Sequence, residues 1–263
     1  MKLAHRFALL VLAIVCCCRA ANAAIHTEAI EYKDGDVVLE GYLAYDDAVS
    51  AARPGVLICH QWMGLSEHEK GRAEELAKLG YVAFALDMYG KGKLPANPQE
   101  AGARAGQFKK DRALTRARAI AGLDALRADA HVDKTKLAAI GYCFGGMVAL
   151  ELARSGAAVR GIVSFHGSLD NPTPDDAKNI KGKVLVQHGA DDPYVTMEQV
   201  QAFMNEMRNA KVDWEFVAYG GAVHAFTQPA AGNDNSEGAA YNAAADRRSW
   251  MLLQAFITEL FAA

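Results

Sequence analysis

Apolar residues recur along the chain in two alternating rhythms. Residues 30–45 alternate apolar with polar positions around Lys33-Asp34-Gly35-Asp36, which predicts an opening β-hairpin. After it, short apolar runs at 56–59, 81–86, 137–140, 161–165, 184–187 and 214–219 read as strands. Stretches of helical spacing lie between them. Ser66 with Glu69 forms a capping box ahead of Ala73, Leu76 and Ala77, and Gly80 ends that helix. Ala113, Ala117, Ile120 and Leu123 share one face of a helix over about 110–126. Further helices are expected at 144–153 and 197–209, and a last one carries Trp250, Leu253, Ile257 and Leu260. This alternation predicts an α/β fold, a mostly parallel central sheet flanked by helices, with function at the carboxyl ends of its strands. The stretch 91–107, with Gly92, Pro95, Pro98, Gly102 and Gly106, reads as an irregular excursion over the pocket and a candidate lid.

The first 23 residues follow neither rhythm. Lys2 and Arg6 precede the twelve apolar residues 7–18, and Ala21-Asn22-Ala23 has the small-x-small form of a signal peptidase site. Twelve apolar residues fall short of the roughly 20 that span a bilayer, so a cleaved signal peptide is expected rather than an anchor. Residues 24–263 then form a single domain, exported to the periplasm or secreted, with no membrane attachment after cleavage.

Composition narrows the classes further. With 51% hydrophobic and 22% charged residues, 23 Gly and only 7 Pro in 263 residues, disorder, collagen and coiled coil are excluded. Without Lys2, Arg6 and Arg19 the formal charge of −3 becomes 25 basic against 31 acidic residues, and no basic tract invites nucleic acid. Three of five cysteines leave with the signal, and Cys59 and Cys143 remain as either a disulfide or two free thiols.

Candidate chemistry sits at three strand ends. Gly141-Tyr142-Cys143-Phe144-Gly145 joins a strand to a helix, in the manner of the G-x-S-x-G nucleophile elbow with a thiol as nucleophile. The helix amino end favours a thiolate there, and the Phe144 N–H faces a developing oxyanion. Strand 184–187 is followed by Gly189-Ala190-Asp191-Asp192-Pro193-Tyr194-Val195, and strand 214–219 by a glycine loop presenting His224. Nucleophile, acid and base therefore come in the order of an acyl-transfer triad, with Asp192 preferred and Asp191 in reserve. His166, at another strand end, is a candidate pocket residue. No His-Glu-x-x-His or paired-Cys spacing occurs, so no metal is expected.

Taken together, Gly-Tyr-Cys-Phe-Gly-Gly, His-Gly-Ala-Asp-Asp-Pro-Tyr-Val, His-Ala-Phe and the segment from Tyr241 to Trp250 resemble the dienelactone hydrolase family. The resemblance implies an α/β-hydrolase fold and a Cys143-Asp192-His224 triad. It also implies a carboxymethylenebutenolidase-like hydrolysis of a small-molecule ester or lactone, without metal or organic cofactor. Where characterised members carry a Gln-Glu pair whose Glu contacts the thiol, this chain has His60-Gln61, so direct pairing of Cys143 with His224 is expected. Trp62 follows at the position of the second backbone oxyanion donor. Lys91 and Gln228 stand where the family grips a carboxylate with two arginines, which makes them, with Gln61 and His166, the candidate substrate-binding residues and points away from dienelactone itself. The expected activity is that of an exported thiol hydrolase working through an acyl-Cys143 intermediate, as a monomer or small homo-oligomer. The alternative is a non-catalytic ligand-binding or thiol-redox protein on the same fold.

Overall fold

The computed structural model describes residues 24–262, and the expected signal segment lies outside the described residues. Strands β1 (Ile25–Asp34) and β2 (Val37–Asp46) form the predicted hairpin, closed by Gly35-Asp36 with Gly35 at φ +57°. Strands β3 (Arg53–Cys59), β4 (Val82–Ala85), β5 (Val132–Tyr142), β6 (Gly161–Phe165), β7 (Lys183–Gly189) and β8 (Trp214–Tyr219) join them in one eight-stranded sheet. Its order is β1-β2-β4-β3-β5-β6-β7-β8. β2 pairs antiparallel with β1 and β4, and every other pairing is parallel.

Helices α1 (Glu67–Lys78), α2 (Pro98–Lys110), α3 (Arg112–Ala128), α4 (Phe144–Arg154), α5 (Met197–Ala210) and α6 (Ala243–Ala262) cover the sheet. The two-residue period of the strands sorts the core. Leu57, Cys59 and Ala139 pack with α2, α3, α4 and α5 on one face, while Val56, Ile58 and Ile140 pack with α1 and α6 on the other. Burying both faces explains why the central strands read as unbroken apolar runs. No helix among the described residues is long and apolar enough to cross a membrane.

Three expectations need correction. Much of 91–107 is ordered as α2 rather than irregular: the Asn97 side chain accepts the Glu100 N–H at 2.9 Å and Pro98 opens the first turn, where its missing N–H costs nothing. The helix expected over 110–126 starts at Arg112, because Asp111 ends α2 and its carboxylate caps α3 through the Leu114 N–H at 2.9 Å. Glycines within α2 obscured it in sequence. Strand β5 also starts earlier than its apolar run, through a register shift opposite Pro54 and Gly55.

The amino end of α4 carries Cys143, and its other end is tied down by charge. Arg154, fully buried, makes a bidentate pair with Glu206 of α5 at 2.8 Å in both bonds, and a third bond to buried Glu151 at 3.0 Å. Removing one partner leaves a guanidinium in a dry site with half its neutralisation. Glu206→Leu is therefore expected to destabilise the fold by about 3–5 kcal/mol, read as a lower urea midpoint at unchanged slope. A loss below about 1 kcal/mol would mean that Glu151 alone satisfies Arg154.

Candidate active site

Cys143 lies between β5 and α4 with φ 54° and ψ −116°, a conformation that residues with a Cβ rarely adopt. The turn is tight enough to forbid side chains around it. A Cβ on Gly141 would lie 1.9 Å from the Gly145 carbonyl oxygen, and one on Gly145 would lie 2.0 Å from the Cys59 carbonyl oxygen. Both glycines are thus required by close backbone approach, and the half-buried thiol projects from the carboxyl edge of the sheet.

The next two strand ends are packed against each other. Ala190 N–H donates to the Tyr219 carbonyl at 2.9 Å and Asp191 N–H to the Ala222 carbonyl at 3.0 Å, joining the turn after β7 to the loop after β8. His224 is fixed within that loop by its N–H to the Gly238 carbonyl at 3.2 Å and its carbonyl to the Ala240 N–H at 3.0 Å. Its ring then bridges the site: Nδ1 lies 2.8 Å from Asp192 Oδ2 and Nε2 lies 3.1 Å from Cys143 Sγ. Asp192, rather than Asp191, makes this contact. Its side chain is buried and its Oδ1 accepts the Tyr194 N–H at 2.8 Å, whereas exposed Asp191 accepts the Gly221 N–H.

Burial works against a charged His224, but the hydrogen bonds to Asp192 and Cys143 and their charges outweigh it, so the imidazole is pushed up to about 10. His166 is the opposite case. Burial, and then the nearby charge of His224, hold it neutral, well below the ordinary histidine range. Cys59 is fully buried, and burial pushes its thiol up, so it stays protonated at neutral pH. Both cysteines are free thiols in the structure.

A cavity of about 480 Å³ opens on Cys143 and His224, lined also by Gln61, Trp62, Tyr194 and Gln228. A smaller one of about 260 Å³ shares Cys143, Trp62, Tyr194 and His224 and adds Phe144 and Lys109. The thiol stands where the two meet. Among the described residues, neither the Phe144 nor the Trp62 backbone N–H donates to a protein acceptor. Both residues line the smaller cavity beside the thiol, as an oxyanion site requires.

Not every candidate arrives there. Lys91 Nζ pairs with Glu31 and, at 2.8 Å, with Glu40 on the opening hairpin, where two carboxylates hold it away from the thiol. His166 is fully buried beneath the site, with Nε2 2.8 Å from Thr227 Oγ1 and its ring 5.2 Å from that of His224, so it lines neither cavity. Sequence reading missed Tyr194, whose ring stands edge-on to His224 at 5.3 Å, and Lys109, whose Nζ reaches Ser168 Oγ at 3.0 Å. Helical spacing of Gly102, Ala105, Gly106 and Lys109 is the signal that marks this face of α2.

The profile of the "Dienelactone hydrolase family" matches residues 39–261. The chain belongs to the dienelactone hydrolase family. It is similar to the solved structure "m3DLH", at 44% identity and a TM-score of 0.87, over 90% of this chain and 99% of that one. A "dienelactone hydrolase-like promiscuous phosphotriesterase" from metagenomic libraries is similar at 43% identity and a TM-score of 0.86, with the same coverage. A protein of Aquifex aeolicus (strain VF5) named as a carboxymethylenebutenolidase is 28% identical over 76% of this chain and 86% of its own length. The α/β-hydrolase fold follows, and with it the activity: the chain is a hydrolase of lactones or esters.

Within the family, the glycines around Cys143 should tolerate nothing larger. Gly145→Ala drives a methyl into the end of β3, and is expected to lower kcat/KM for a chromogenic ester by at least about 100-fold. Gly71→Ala is the control, because a Cβ there meets nothing within 4 Å and alanine is the better helix former. Equal activity of the two variants would show that the elbow has slack.

Proposed function

We propose that Cys143 is the nucleophile of an acyl-enzyme mechanism acting on neutral, largely apolar esters or lactones. The bridge made by His224, 2.8 Å from Asp192 and 3.1 Å from the thiol, is the observation that carries this reading. The Cys143 thiolate attacks the carbonyl carbon, and the N–H groups of Phe144 and Trp62 receive the oxyanion. Collapse of the tetrahedral adduct expels the alkoxide, which takes the proton from the His224 imidazolium. Neutral His224 then removes a proton from water, the hydroxide attacks the thioester, and the acid leaves as thiolate and imidazolium are restored. Asp192 orients His224 throughout.

The substrate class rests on the cavity. Gln61 and Gln228 offer hydrogen bonds without charge, while Trp62, Met63 and four alanines supply apolar lining. Phosphotriesters form a second class, supported by the name of the relative at 43% identity. Among the described residues no disulfide supports the thiol-redox alternative, as Cys59 and Cys143 are unpaired. We also infer export and removal of residues 1–23, on the strength of Lys2, Arg6, the apolar stretch 7–18 and Ala21-Asn22-Ala23. An amino terminus at Ala24 in the secreted or periplasmic fraction would bear this out, and an intact Met1 there would refute it.

Stopped-flow hydrolysis of p-nitrophenyl acetate is the direct test. A burst followed by turnover is expected from the mature chain, with the rate reduced about 10³-fold or more in Cys143→Ala and in His224→Ala. A burst that survives in Cys143→Ala removes the thiol from the mechanism. p-Nitrophenyl diethyl phosphate under the same conditions tests the second class.

The pH profile supplies an independent check. His224 gives up its proton in acylation, so kcat/KM falls as pH rises through its pKa, and the raised value puts that alkaline limb near pH 10. A limb close to pH 6.5 would mean that His224 is unpaired in the free enzyme.

A further inference from the structure

Gln61 is gripped from several sides at once, and what the grip holds is a peptide plane. Its carbonyl oxygen accepts from His60 Nδ1 at 2.6 Å and from the Gly64 N–H at 3.1 Å. Its own N–H and its side-chain Nε2 donate to Glu69 Oε1 at 3.3 and 3.4 Å. The other oxygen of that buried carboxylate is held by the Ser66 N–H and hydroxyl at 3.0 and 2.6 Å. The carbonyl of Gln61 and the N–H of Trp62 belong to one planar trans peptide, so aiming the C=O in one direction aims the N–H in the opposite one.

His60 is suited to this by more than proximity. Its side chain is fully buried, edge-on to the Tyr89 ring at 4.9 Å. Met88 N–H donates to its Nε2 at 3.1 Å, so Nε2 carries a lone pair and the ring proton sits on Nδ1, where it can only be donated to Gln61. Burial favours the neutral ring that this bonding needs. The far side of the same loop is held by the Tyr89 hydroxyl, which donates to the Trp62 carbonyl at 2.7 Å.

We propose that His60 is a positioning residue of the oxyanion site, its Nδ1–H fixing the Gln61–Trp62 peptide so that the Trp62 N–H points at the oxygen that gains charge in the transition state. This rests on reading Cys143 as the nucleophile and Trp62 as an oxyanion donor. A preorganised donor costs no reorientation when the charge develops, and this is the source of its catalytic effect.

Two near-isosteres separate the roles of the two ring nitrogens. Asparagine at position 60 can present a donor where Nδ1 stands, while glutamine reaches the place of Nε2 and leaves the Gln61 carbonyl without its donor. His60→Gln is expected to lower kcat for p-nitrophenyl acetate by about 10- to 100-fold, less than the roughly 10²–10³ of deleting an oxyanion donor outright, with KM changed by less than about twofold. His60→Asn keeps kcat within about threefold. Iodoacetamide is the discriminating probe, because alkylation forms a C–S bond and expels iodide at a saturated carbon, with no oxyanion. Its rate at Cys143 stays within about twofold in both variants if His60 acts only through the oxyanion donor. Equal kcat losses in Asn and Gln, or alkylation that slows in step with kcat, overturns the proposal in favour of a general packing role. Wild-type enzyme that iodoacetamide does not inactivate overturns it differently, by removing the nucleophile on which it rests. Should either variant fail to fold, ¹⁵N-histidine NMR of the unmodified chain decides the premise: the Nδ1–H tautomer at His60 supports the proposal and the Nε2–H tautomer ends it.

Discussion

The contact between the Gly145 main chain and the carbonyl at the end of β3, too close for any side chain, is the constraint on which the site depends. It forces the helix that carries the thiol to start directly against the loop that carries Trp62. The elbow conformation of Cys143 is strained in isolation, and it persists because α4 and the sheet over-determine it. Helix α4 is buried along its whole length and locked at its far end through Arg154, so strain at its amino end cannot be relieved by tilting. The stability of the fold and the geometry of the thiol therefore draw on the same element from opposite ends.

Electrostatics complete what the backbone begins. The environments of three imidazoles divide them: His224 has a buried carboxylate and a sulfur to favour its charge, whereas His166 and His60 are buried without a carboxylate hydrogen-bonded to the ring. One ring is thus suited to moving protons and two to holding shape. The division needs no difference in residue type, only in what each ring touches.

This division explains what could be read from the chain before its structure. Strand ends, the Cys143 elbow and the order of Cys143, Asp192 and His224 are legible because each is a local pattern at a predictable place in a parallel sheet. The choice between Asp191 and Asp192 turns on which side chain is buried, and the spacing from Gly189 to Val195 points to Asp192, the one whose carboxylate meets His224. Lys91 and His166 illustrate where the reasoning stops. Family resemblance suggested a pocket for Lys91 and a strand end did so for His166, while their neighbours in space, Glu31 and Glu40 for one and Thr227 for the other, come from distant segments that no local pattern announces. Glu69 was legible as a capping residue, but its grip on Gln61 depends on how α1 meets the end of β3. Helix α2 was hidden because Gly102 and Gly106 lower helix propensity.

That face of α2 has a consequence for how the enzyme can change. Gly102, Ala105 and Gly106 present almost nothing but backbone to the smaller cavity, and a Cβ added at Gly102 would meet the Trp62 ring at 3.8 Å, an ordinary contact, while one at Gly106 would meet nothing within 4 Å. None of these residues belongs to the triad or to the glycine pair of the elbow. The width of the cleft is therefore adjustable one methyl group at a time from a helix that takes no part in the chemistry. The residues of α2 set the width of this smaller cavity while the strand ends hold the thiol and the imidazole, so the first can change with the second left in place.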